Sequence, residues 1–162
     1  MFNKIDPFIE KHGMMLLDGG LATELEERGL VLDTQLWSAH LLMTNPEAIR
    51  NVHLDYLEAG ADCIISASYQ ASIDGFLSYG LSKKEAKSLL SSAVVLANEA
   101  VDQYLEGTKN RRPGGRMRPL VAASIGPYGA YLANGAEYRG DYGVSKNKLR
   151  RSEEHTSELQ SR

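Results

Sequence analysis

Residues 14–28 read MMLLDGGLATELEER. The apolar run Met14–Leu17 predicts a buried strand, and Leu21–Arg28 has the pattern of a short helix stopped by Gly29. Asp18-Gly19-Gly20 stands between them. A strand that ends in a carboxylate and two glycines puts an acidic group and exposed backbone amides in one place. Glycine there lets the chain turn sharply and lets a ligand approach the backbone. The site suits a small zwitterion: Asp18 for an ammonium, the Gly19 and Gly20 amides at a helix start for a carboxylate. The same residues also suit an ordinary strand-to-helix turn in which Asp18 caps the helix.

The pattern repeats outward from that point. Asn45-Pro46-Glu47 is a helix start, with Asn as cap and Pro in the first turn; Ile49, Val52, Tyr56 and Leu57 follow at helical spacing, and Gly60 ends the run. Ala61–Ser68 predicts a second strand, apolar without alternation, as in a parallel sheet covered on both faces. Ser82 and Glu85 form a capping box, and a long helix follows as far as about Gly107. Leu120–Ile125 predicts a third strand, closed by Gly126-Pro127. A loop rich in Gly and Tyr runs from Tyr128 to Gly143. Strands alternating with helices predict a parallel α/β architecture. The strand ends Asp18-Gly19-Gly20, Ser68-Tyr69-Gln70 and Ser124-Ile125-Gly126 are polar or Gly-rich, as a shared site requires.

Composition excludes several function classes. With 162 residues there is enough chain for one domain with a core. A net charge of -3 gives no argument for nucleic acid or an anionic membrane. One basic stretch, Arg111 to Arg118, reads as a solvated loop, with phosphate binding as its less favoured alternative. No secretory signal or membrane span is evident, and the cytoplasm is the expected compartment. The sole cysteine, Cys63, allows no internal disulfide, falls inside a predicted strand and reads as a buried structural thiol. His12, His40 and His53 lack metal-site spacing.

Four stretches together resemble the homocysteine S-methyltransferase family: LLDGGLATELEERG (16–29), LWSAHLLMTNPEAI (36–49), YLEAGADCIISASYQAS (56–72) and VAASIGPYGAYLANGAEYRGDYG (121–143). The last is similar to the branch that uses S-methylmethionine or S-adenosylmethionine. The resemblance implies a (β/α)8 TIM barrel, of which this chain would supply the amino-terminal part, about three βα units. It implies methyl transfer from a sulfonium donor to homocysteine, or to selenocysteine in that branch. It also implies a Zn2+ held by three cysteine thiolates in Gly-Asn-Cys and Gly-Gly-Cys-Cys segments, which this sequence lacks. No tight metal binding is therefore expected here, and the chain alone is expected to be inactive.

By resemblance Asp18 binds the homocysteine ammonium and the Gly19 and Gly20 amides its carboxylate, while Trp37 and Tyr69 line the donor side, where aromatic faces suit a sulfonium. Gln70 and Ser68 would orient substrate. Tyr128, Tyr131 and Tyr138 receive no role beyond packing. Residues 151–162, RSEEHTSELQSR, have no apolar period and resemble an in-frame translation of a sequencing adapter. The expected organisation is thus a partial homocysteine-binding barrel domain over 1–150 and a non-native tail over 151–162. In such a partial barrel the inward strand faces, including Ile64, Ile65, Val121 and Ile125, would lack opposing layers. Another barrel enzyme of lyase type, or a non-catalytic truncated product, remain as alternatives.

Overall fold

A computed structural model describes residues 3–32, 36–108, 116–132 and 134–151; of Trp37 and Glu137 it describes the backbone alone. The helices in chain order are α1 (Asp6–His12), α2 (Leu21–Glu27), a 3-10 turn at Trp37–His40, α3 (Leu41–Thr44), α4 (Pro46–Ala59), α5 (Ile73–Ser78), α6 (Lys83–Thr108), α7 (Tyr128–Leu132) and α8 (Ala136–Arg139). The strands are β1 (Cys63–Ile65) and β2 (Leu120–Ala122), paired in parallel with Cys63 opposite Leu120 and Ile65 opposite Ala122. On the other side of β1, Leu17 forms a parallel bridge with Cys63. The spatial order is therefore the 14–17 segment, β1, β2, joined by helical crossovers as parallel pairing demands.

The caps read from sequence form as side-chain hydrogen bonds. Asn45 Oδ1 accepts the Ala48 amide at 3.2 Å at the start of α4. At the start of α6 the Glu85 carboxylate accepts the Ser82 amide at 2.8 Å, and Ser82 Oγ accepts the Glu85 amide at 3.3 Å. The helix α6 then runs to Thr108, one residue beyond the expected end near Gly107. Helices α1, α3 and α5 were not expected, and α7 and α8 fall within 128–143, which reads as a loop in sequence. Helix α1 has Pro7 in its first turn and Gly13 in a left-handed C-cap; α5 has Ser72 Oγ accepting the Gly75 amide at 3.0 Å. Both are too short for apolar periodicity to show.

The core lies between the sheet and the helices. Leu57, Ala61 and Ile64 pack with Ala97, Ala100 and Val101, so β1 rests on α4 and α6. A larger cluster joins Leu25, Leu36, Ile49, Val52, Phe76 and Leu90. Truncating any of these fully buried side chains to alanine costs about 2–5 kcal/mol in comparable cores. Two sequence expectations are corrected here. Ile64 and its neighbour Val121 face the helices, not the barrel interior, and Ile125 is exposed. The 14–17 segment is not a buried strand: Leu16 and Leu17 are 50% and 58% exposed, because among the described residues it pairs on one side alone.

A buried ion pair ties that segment to the helix layer. Arg116 and Asp62, each 12% exposed at the side chain, lie 2.8 Å apart. Arg116 also donates to Leu57 O at 3.1 Å, to Tyr104 Oη at 3.0 Å and to Gly60 O, covering the carbonyl end of α4. The other carboxylate oxygen of Asp62 accepts the Leu16 amide at 3.0 Å. Burial alone would raise the Asp62 carboxyl, but Arg116 and the Leu16 amide hold it below its ordinary value. Arg116 is thus a structural cross-tie, and Arg118 pairs with Asp102; Arg111 and Arg112 lie outside the described residues.

His53 on α4 is fully buried, and neither ring nitrogen has a hydrogen-bond partner. Burial lowers its pKa from 6.5 to about 4. The unfolded chain therefore takes up a proton below 6.5 that the folded chain refuses. Stability is complete above pH 6.5 and falls as pH drops toward 4, by about 3 kcal/mol. Urea unfolding of the chain across that interval should show the fall, and His53→Leu should flatten it. The Asp62 contribution is lost separately, below the ordinary carboxylate value of 3.8.

Candidate functional site

The carboxyl ends of the strands enclose a cavity of about 560 Å3. Asp18, Gly19 and Gly20 form one wall, with Leu21 and Ala22 of α2. Ile65 at the end of β1 and Ser66, Ala67, Tyr69 and Gln70 beyond it form the floor, and Ser124 comes from beyond β2. Ser38, Gly135 and the largely exposed Tyr138 complete the lining. The cavity thus brings together Asp18, Gly19, Gly20, Tyr69 and Gln70 from the sequence reading. The side chain of Trp37 lies outside the described residues.

Asp18 is held by its own sheet. Its amide donates to Cys63 O at 3.0 Å, and its Oδ2 accepts the Ile65 amide at 2.7 Å. Its Oδ1 is buried and has no hydrogen-bond partner. Burial raises the Asp18 carboxyl above its ordinary value, against the lowering effect of the Ile65 amide and its own backbone. An ionised, desolvated carboxylate with one unused oxygen has a strong affinity for a cationic hydrogen-bond donor. Beside it, Gly20 is the cap of α2 and offers that helix no side-chain hydrogen bond. The cap residue therefore supplies no hydroxyl or carboxylate of its own to take up the backbone amides of the first turn of α2.

Close packing explains two glycines. A Cβ on Gly19 would lie 2.7 Å from Tyr56 Oη, whose ring supports the turn and whose hydroxyl lies 3.4 Å from Gly20 O. A Cβ on Gly126 would lie 1.9 Å from Tyr69 O, so the loop after β2 can pass the loop after β1 only with glycine there. This contact sets how near Tyr69 and Ser124 approach across the cavity floor.

Ser68 lies elsewhere than expected. It is fully buried and does not line the cavity; its hydroxyl donates to Ser124 O at 2.8 Å. Ser66, which the sequence reading did not single out, takes the cavity position instead. Cys63 is buried, and burial, then the Asp18 charge, pushes its thiol up. Among the described residues no three of His, Cys, Asp and Glu converge as a metal site. Among them also, no helix is long and apolar enough to cross a membrane.

Comparison with known proteins decides the family. A family model described as homocysteine S-methyltransferase matches residues 15–160. The chain belongs to that family. It is 49% identical over 147 residues to homocysteine S-methyltransferase YbgG of Bacillus subtilis, covering 91% of this chain and 46% of that protein. It is 51% identical over 143 residues to homocysteine S-methyltransferase of Escherichia coli, covering 88% of this chain and 44% of that protein. Two crystal structures of the homocysteine methyltransferase MmuM from Escherichia coli share the fold. The metallated form matches with a TM-score of 0.84 at 46% identity, over 97% of this chain and 53% of that one. The oxidised form matches with a TM-score of 0.88 at 45% identity, over 99% and 53%. The chain spans about half the length of the curated relatives it matches.

Gly126→Ala tests the floor of the cavity. The clash with Tyr69 O involves two backbones, so it should cost the upper end of about 1–3 kcal/mol, read as a lower urea midpoint at constant slope. Gly107→Ala, where a Cβ meets nothing within 4 Å, should not lower the midpoint.

Proposed function

We propose that this chain is the amino-terminal part of a homocysteine S-methyltransferase barrel, and that its cavity takes the amino-acid end of homocysteine. The observation that carries the reading is Asp18 lining the cavity beside Gly19 and Gly20 with one carboxylate oxygen, Oδ1, left without a hydrogen-bond partner. The ammonium of homocysteine satisfies Oδ1 and restores the ionised form that burial disfavours. Its carboxylate then lies toward the Gly19 and Gly20 amides. Gln70 orients the bound amino acid from the floor. Tyr69, which lines the cavity and is 47% exposed, flanks the side from which a sulfonium donor approaches, S-methylmethionine or S-adenosylmethionine; Trp37 is assigned to the donor side by the family resemblance alone.

The methyl-transfer step itself needs a thiolate. The resemblance assigns its activation to a three-thiolate zinc site, and the residues described here do not fit one. The chain has one cysteine, and that thiol is buried inside β1 with its pKa raised. For these 162 residues the proposed role is therefore substrate binding; residues 152–162, most of the stretch read as a non-native tail, lie outside the described residues.

Asp18→Asn tests the reading. Replacing a charge-assisted hydrogen bond to an ammonium by a neutral one should cost about 1.5–3 kcal/mol, roughly ten- to hundredfold in Kd. Ligand-detected NMR titration of the chain with L-homocysteine measures it directly, and unchanged affinity would overturn the role of Asp18. Binding by the unaltered chain should weaken on acidification as Asp18 takes up its proton. That midpoint should lie above the ordinary 3.8, because the group is raised.

A further inference from the structure

Three serines link the ends of β1 and β2 below the cavity. Ser66 Oγ accepts the Ser124 amide at 3.1 Å. The Ser66 and Ser68 hydroxyls lie 2.8 Å apart, and Ser68 Oγ lies 2.8 Å from Ser124 O. A hydroxyl carries one proton and a carbonyl oxygen none. The proton of Ser68 is therefore committed to Ser124 O. In the bond between the two hydroxyls, Ser66 must be the donor. Its proton is then used on Ser68 and one lone pair on the Ser124 amide. What Ser66 has left is a second lone pair, and Ser66, unlike Ser68, lines the cavity.

We infer that Ser68 is a positioning residue that sets ligand polarity without touching the ligand. By accepting the Ser66 proton it makes Ser66 an acceptor toward the cavity. Ser66 directly follows Ile65, whose amide holds Asp18 Oδ2. The two unused acceptors, Asp18 Oδ1 and Ser66 Oγ, then mark one end of the cavity for an ammonium and disfavour a carboxylate there. A lone serine in that position, free to rotate, could accept from an ammonium or donate to a carboxylate. The relay thus fixes which way round an α-amino acid enters. This rests on the reading of the cavity as an amino-acid site.

The test compares two ligands that differ in the ammonium alone: L-homocysteine and 4-sulfanylbutanoate, the same thiol and carboxylate without the amino group. The unaltered chain should prefer homocysteine in ligand-detected NMR titrations. Ser68→Ala frees the Ser66 proton and should cut that preference about tenfold, chiefly by weakening homocysteine. Ser68→Thr keeps the hydroxyl and should keep the preference. Ser68→Cys, which fills the space and donates weakly, gives the same comparison where Ser68→Ala does not fold. Weakening of both ligands by the same factor would make Ser68 a structural residue and overturn the inference. Loss of preference in Asp18→Asn with none in Ser68→Ala overturns the relay and leaves the amino-acid site standing. An unaltered chain without preference overturns both.

Discussion

The hydrogen bond from the Ile65 amide to Asp18 Oδ2, at 2.7 Å, fixes the functional end of this molecule. It joins the residue after the 14–17 segment to the last residue of β1, where backbone pairing between those two segments has already run out. One oxygen of Asp18 is spent on the sheet, and the other is thereby aimed and left unused. The turn that follows is buttressed by the Tyr56 ring against Gly19. Without the Ile65 amide the carboxylate would swing toward water, its solvation would recover, and its attraction for a cation would fall to that of a surface aspartate.

The two aspartates at opposite ends of β1 show how context decides between structure and function. Asp62 has a guanidinium and a backbone amide on its two oxygens, and its carboxyl is held low. Both of its oxygens are engaged within the fold, and its value lies in linking the 14–17 segment, α4 and α6. Asp18 has a single amide partner and its carboxyl is raised. A buried group left short of partners is a cost to folding that persists only where something else meets it. That asymmetry, rather than the presence of an aspartate, is what singles out Asp18 as the residue proposed to bind and Asp62 as a cross-tie.

Much of this was legible in the sequence where one local cue was enough. The Asn45 cap and the Ser82–Glu85 box each act within a few residues and form as read, and Asp18-Gly19-Gly20 leads into α2 as read, though Gly20 rather than Asp18 is the cap of that helix. What failed to show depends on partners far along the chain. Arg116 sits in a stretch that reads as a solvated basic loop, yet its partners are Asp62, Leu57 and Gly60, more than fifty residues earlier. The facing of Ile64 was misjudged because an unbroken apolar run such as Cys63-Ile64-Ile65 carries no alternation to say which side meets the helices. Ser66 and Ser68 look equivalent in sequence, two residues apart at the end of a strand. They separate in space because the chain leaves regular pairing after Ile65 and turns, with the Ser68 amide donating to Ser66 O at 2.8 Å.

The distribution of packing explains why the site can be formed by so little sheet. β1 and β2 are three residues each, too short to be stable as a ribbon. Their anchorage comes from behind, where Ile64 is fully buried against α4 and α6, a helix of 26 residues, about 39 Å long. Strand ends projecting from such a slab are placed by the helices rather than by long ladders. The loops beyond them are then joined laterally by side chains and close backbone contact: Ser68 to Ser124, Ser66 to Ser124, and Gly126 against Tyr69 O. These ties cost little conformational freedom because each spans residues that the slab already holds in register. A cavity floor built this way has its polarity written into hydroxyl protons whose direction depends on neighbours, so a buried serine that never meets the ligand can decide which end of the ligand is accepted.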